Sequence, residues 1–121
     1  MKPITMVYIL NAAFLLLHEI ESAYENEWDI LKLPGKITGF LILHIPIIFL
    51  LLYGLIEIEK QSSTGLIIGM ITGVGGIIPF IVHKIVVKKA EHFNHLISNI
   101  IIYSNILSGV GLLILSVMFF A

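Results

Sequence analysis

The chain has no cysteine and no arginine; all seven of its basic residues are lysines. The first absence excludes disulfides, iron–sulfur clusters and thiolate nucleophiles. The second removes the rigid guanidinium fork that grips carboxylates and phosphates in two places. Charge of any kind is scarce, at 12% of residues, where a soluble domain carries roughly a quarter. With a net charge of -1 and no basic stripe, nucleic acid is excluded as a partner. Several catalytic signatures are also missing. His18-Glu19 opens like a zinc-protease motif, but Ser22 stands where the second histidine would be. No glycine-rich phosphate loop, Gly-x-Ser-x-Gly elbow or dinucleotide fingerprint occurs.

What remains is apolar. The 121 residues are 58% hydrophobic, and the mean hydropathy is +1.03. A soluble chain this short leaves much of its surface in water and cannot hide so many apolar side chains, whereas in lipid exposed Leu, Ile and Phe carry no such penalty. Four apolar segments, at about 4–24, 37–56, 65–87 and 96–120, fit the roughly 20 residues that a membrane span requires. The expected fold is therefore all-α, an integral membrane four-helix transmembrane bundle formed by a single domain over residues 1–121. The first segment follows Lys2 as a signal peptide would, but no small-x-small cleavage site follows it, so it is expected to remain as a helix.

Within this frame, Leu33-Pro34-Gly35 marks a turn between the first two helices. Gly65, Gly69 and Gly73 recur every four residues, giving the third helix a bare face for close packing. Pro46 and Pro79 each remove a backbone donor and should kink their helices. Asn11, deep in the first helix, is expected to hydrogen-bond to another helix. Lysines cluster in loop one (Lys32, Lys36) and around loop three (Lys84, Lys88, Lys89), against Lys2 and Lys60 on the opposite side. The positive-inside rule then places loops one and three in the cytoplasm and both termini outside, in the inner or plasma membrane of a bacterium.

The histidines follow this topology. His18 lies near the end of the first helix, His44 two turns into the second, His83 near the end of the third, and His92 and His95 at the start of the fourth. All five fall towards one face of the membrane. His18, Glu21 and Glu25 are spaced by three and four residues, as are His92, His95 and Asn99, so each set lines one stripe of a helix. Ionisable groups inside a membrane usually face a cavity or mark function. Imidazoles with carboxylates are ligands for a divalent transition metal, Zn²⁺ first, with Fe²⁺ or Mn²⁺ as alternatives. His18, Glu21, His44, His92 and His95 are the candidate ligands, with Glu21 or Glu25 as catalytic base. Blander readings cover the rest: His83 as an interfacial residue, Glu19, Glu27 and Asp29 as a solvated loop face, Tyr24 and Trp28 as interfacial anchors.

The run His18-Glu19-Ile20-Glu21-Ser22-Ala23-Tyr24, followed by Glu27-Trp28 and Leu33-Pro34-Gly35, resembles small bacterial membrane proteins of the HXXEE-like kind, whose function is uncharacterised. The resemblance covers roughly the first third of the chain. It implies a four-helix membrane fold, a suspected enzymatic role, and a match of His18 and Glu21 to the His-x-x-Glu pair. Ser22 replaces the second glutamate, and Glu25 is one turn further on. The leading functional expectation is a metal-dependent membrane hydrolase acting on a lipid-like or otherwise apolar substrate at the cytoplasmic interface, with a di-iron oxidant as a variant. The alternatives are a non-enzymatic module that binds or transports a metal or protons, haem binding between His44 and His95, or a structural accessory protein. A homo-oligomer is compatible with all of them.

Overall fold

A computed structural model describes residues 1–30, 32–86 and 96–121. The expected end of the third helix at Val87, and Lys88, Lys89, His92 and His95, lie outside the described residues. Four long helices dominate: α1 (Pro3–Tyr24), α3 (Lys36–Glu59), α4 (Ser63–Phe80) and α5 (Leu96–Phe120), with a single turn, α2 (Glu27–Ile30), between the first two. All four, counting α4 with its continuation to Lys84, are long and apolar enough to cross a membrane.

Local chemistry sets the boundaries. Pro3 occupies the first turn of α1, where a missing N–H costs nothing. Gly35, at φ +88°, turns the chain into α3, a conformation that glycine adopts without strain. The Ser62 hydroxyl caps α4 by accepting from the Gly65 N–H at 3.0 Å, which satisfies one of the orphan donors of a helix start. Pro46 is accommodated inside α3. Pro79 is followed directly by a change in winding, because Ile81–Val86 forms a π-helical turn. Such turns absorb an altered hydrogen-bond register and are frequent at functional sites.

Cross-helix contacts give the topology. Thr5 meets Glu59, Tyr8 donates to the Leu51 carbonyl at 2.6 Å, and Glu19 meets His44, so α1 and α3 run antiparallel. Asn11 pairs with Ser108 and Glu21 with Ser98, making α1 and α5 antiparallel as well. Asn11 also reaches Thr72, and His18 reaches His83, so α1 and α4 run parallel. The order is up-down-up-down. The tightest pair is α4 with α5, where a methyl group added at Gly73 would lie 2.7 Å from the Gly109 carbonyl oxygen.

Each helix turns one stripe inward at alternating steps of four and three residues. The stripes are Ile4, Tyr8, Asn11, Leu15, His18 and Ser22 on α1, and Phe40, His44, Ile47, Leu51, Gly54 and Ile58 on α3. On α4 and its extension they continue as Gly65, Gly69, Thr72, Gly76, Pro79 and His83, and on α5 as Ser98, Ile102, Asn105, Gly109, Leu112 and Ser116. This 3.5-residue repeat is the seam of helices that cross at a small angle. Much of the seam is polar: Asn11, Ser22, Ser98, Asn105 and Ser116 are wholly buried. The outer surface is apolar, with Phe49 70% and Leu107 75% exposed. The polarity is the reverse of a soluble bundle.

Candidate functional site

The two-way split of α1's acidic end defines the site. Glu19 and Glu21 are two positions apart, about 200° around a helix of 3.6 residues per turn, so they meet different neighbours. Glu19 faces α3 and pairs with His44, Oε2 to Nε2 at 2.5 Å. Glu21 faces α5 and accepts from the Ser98 hydroxyl. Its other oxygen, Oε1, is buried without a hydrogen-bond partner among the described residues.

The protons of the Glu19–His44 pair follow from geometry. His44 Nδ1 lies 2.7 Å from the Phe40 carbonyl oxygen, which only accepts, so Nδ1 carries a hydrogen. Nε2 and the Glu19 carboxylate can then approach at 2.5 Å only with a proton between them. The unit is Phe40 carbonyl, imidazole, proton and carboxylate, with no net charge as a whole. The Phe40 ring stacks on the imidazole, centroids 4.1 Å apart, and Trp28 of α2 packs on Phe40 at 5.7 Å.

This pair lies in the wall of a cavity of about 660 Å³ between α1, α3 and α4, within the roughly 300–1,000 Å³ range of small-molecule sites. Trp28, Leu33 and Phe40 close one end. Leu51, Met70 and Thr72 stand towards the middle of the bundle. Apart from His18, Glu19, His44 and Thr72, the lining side chains are apolar. Several of them, including Leu43, Ile71 and Ile78, are half exposed at the outer surface, so the cavity opens sideways between helices.

A second polar group lies beside it. His18, 2% exposed, has Nε2 3.3 Å from the Ser22 hydroxyl. Its ring faces His83 with centroids 5.0 Å apart. His83 is brought there by the π turn after Pro79 and is itself buried, where the sequence suggested an interfacial position. Lys84, next along, donates to Asn99 of α5.

The candidate ligands among the described residues are thus distributed over separate pairings. His44 pairs with Glu19, His18 with His83, and Glu21 with Ser98; Glu25 is half-buried one turn beyond Glu21. Among the described residues, no three His, Asp or Glu side chains form a group that would hold a metal ion. His92 and His95 lie outside the described residues. Besides His83, two readings of the sequence are corrected. Glu19 is not part of a solvated loop face but lies within α1 and pairs across to α3. Trp28, expected with Tyr24 to be an interfacial anchor, is instead packed inward on Phe40 in the cavity wall at 8% exposure, while Tyr24 is 82% exposed. No local signal in the sequence marked Glu19, because its partner His44 is 25 positions away.

Fold and site together define a class: an all-α protein of four long apolar helices, with a polar seam and a sideways-opening cavity. Within that class, the chain belongs to DUF6713, a family of unknown function that matches residues 4–119. No curated protein and no solved structure matches it.

Proposed function

We propose that this is an integral membrane protein that admits an apolar, lipid-like molecule from the bilayer into the α1–α3–α4 cavity. There the Glu19–His44 pair exchanges a proton with it. The observation that carries this reading is the apolar cavity with one proton-sharing pair in its wall. The reversed polarity supports the bilayer as solvent, because a polar seam and an apolar exterior suit lipid. His44 is oriented by the Phe40 carbonyl, as a catalytic base is oriented by a third group, and a pair that already shares a proton can donate or accept one. Hydrolysis of an ester-type bond in an apolar substrate is among the reactions it suits. The His18–Glu21 spacing, with its likeness to HXXEE-like proteins, supports a polar site at this end of the bundle. The orientation that fits the lysines puts this end at the cytoplasmic face of a bacterial inner membrane. The test is mass spectrometry of lipids retained through purification by the natural chain and by Ile47→Trp, which fills the cavity. Retention of a defined species by the natural chain alone is expected; equal retention by both overturns the reading.

A second reading, metal-dependent hydrolysis, is favoured by two features: the His18–His83 contact and the buried Glu21 Oε1, which has no hydrogen-bond partner among the described residues. A Zn²⁺, Fe²⁺ or Mn²⁺ ion held by His18 and Glu21, with His92 or His95, would lower the pKa of a bound water, and Glu25 would take its proton. Metal content by inductively coupled plasma mass spectrometry tests it. One or two ions per chain, lost in His18→Ala/His95→Ala, support it, and their identity separates hydrolysis from di-iron oxidation. A protein that stays empty after metal is added back removes it.

A further inference from the structure

We infer that the cavity selects an amphiphile with an uncharged, hydrogen-bonding head, a long-chain alcohol, aldehyde or ester. The head sits under Trp28 against the Glu19–His44 pair, and the tail points to the middle of the bundle. The inference rests on the cavity reading above and adds head chemistry and direction to it.

The head is uncharged because the titratable side chains of the wall, among the described residues, are only the Glu19–His44 pair and His18, whose Nε2 is turned to the Ser22 hydroxyl at 3.3 Å. Glu19 and His44 hold one proton between them and are neutral as a unit. Among the described residues, none of the lysines lines the cavity. An ion placed there would lose its hydration and gain no opposite charge. A hydroxyl, by contrast, can donate to the Glu19 carboxylate, and a hydroxyl or carbonyl oxygen can accept from the shared proton.

The direction follows from where polarity falls along the cavity. On α3 the lining runs from Phe40 to Leu51, about 16 Å at 1.5 Å per residue. That is about one leaflet of a hydrocarbon core roughly 30 Å thick. His44 stands one turn from the roofed end, and the α3 positions beyond it, Ile47, Leu50 and Leu51, are apolar. Thr72, at the far end, spends its hydroxyl on the Ile68 carbonyl at 2.6 Å, so the order along α3 matches the head-to-tail gradient of a lipid entering from the side. The roof of Trp28 and Phe40, each 8% exposed, limits the head to a small group.

Trp28 is the single tryptophan of the chain, so its emission reports the roofed end directly. The protein is placed in nanodiscs of diacyl phosphatidylcholine and titrated with dodecanol brominated next to the hydroxyl-bearing carbon. Saturable loss of most Trp28 emission is expected, reversed by unbrominated dodecanol. Dodecanol brominated at its terminal carbon should quench less, and neither dodecyl phosphate nor dodecyltrimethylammonium should reverse the effect. In His44→Phe the half-saturating concentration should rise about tenfold. Reversal by a charged-head competitor equal to that by dodecanol, or stronger quenching by terminal bromine, overturns the inference while leaving the cavity occupied. Quenching that rises without saturation for every probe, and that nothing reverses, means the cavity itself takes no ligand, and both readings fall.

Discussion

Glu19 and His44 are a pair whose members are harder to lose singly than together. Removing the carboxylate in Glu19→Leu leaves an imidazole with one nitrogen facing an apolar wall. Leaving a buried polar group unpaired costs about 1–3 kcal/mol. Replacing both, in Glu19→Leu/His44→Phe, removes the orphan with its partner. The double variant is therefore expected to unfold at a higher temperature than Glu19→Leu alone, measured by circular dichroism in detergent. A double variant less stable than either single one would show that the pair does not act as a unit. Asn11 provides a contrasting case, with Nδ2 donating to the Thr72 carbonyl at 2.8 Å and Oδ1 accepting from Ser108 at 3.2 Å. Interhelical hydrogen bonds of this kind average about 0.6 kcal/mol in membrane proteins. Asn11→Leu should therefore lose little through its bonds, and more through the collision of a branched side chain with the Gly76 face, which Asn11 Oδ1 already crowds. The Asn11 contact was legible in the sequence, because a lone amide deep in an apolar helix has no other use. The Glu19–His44 contact was not: it joins residues 25 positions apart, and nothing local distinguishes Glu19 from Glu21 as the partner.

At the level of whole helices, apolar length made four segments legible. The structure extends the second to Glu59 and starts the third at Ser63, leaving a loop of only a few residues. The glycine spacing on α4 was legible too, and its partner was not, since Gly109 reads as an ordinary glycine until α5 is laid against α4. That contact is backbone against backbone: a Cβ built on Gly73 meets the Gly109 oxygen at 2.7 Å and the Leu113 nitrogen at 2.9 Å. Neither atom can swing aside as a side-chain tip can. Gly73→Ala should thus separate α4 from α5 and lower the unfolding temperature. Gly111→Ala is the control, because its added methyl meets nothing closer than Val7 Cγ1 at 3.8 Å, and alanine is favoured over glycine in a helix by about 1 kcal/mol. It should leave the unfolding temperature unchanged or raise it; equal loss in both variants would mean that close packing at Gly73 is not what holds the pair. The π turn after Pro79 was only half legible. Proline announces a disturbance but not its form, and it is the form that carries His83 onto His18.

For the molecule as a whole, polarity decides which solvent suits the outside, and charge decides which way round it sits. The buried stripes carry serine, asparagine and histidine, and the exposed ones carry leucine, isoleucine and phenylalanine. This is why amphipathic patterning, so useful for soluble helices, identified no inward face here: with small and polar residues inside, hydrophobicity varies little around each helix. Orientation rests on a smaller quantity, the two lysines of loop one and those near loop three against Lys2 and Lys60. A natural chain without cysteine makes the test direct, since a single introduced thiol is the only one present. Lys32 and Lys60 suit it because they lie in the turns at opposite ends of α3. In intact bacterial cells, Lys60→Cys should react with a membrane-impermeant maleimide, and Lys32→Cys should react only after the membrane is opened. The reverse pattern would place the Glu19–His44 end of the cavity at the outer face, and the apolar ligand proposed for it would then enter from the outer leaflet. Labelling of both positions in intact cells would mean that α3 does not cross the membrane, and the bilayer reading of the cavity would fail with it.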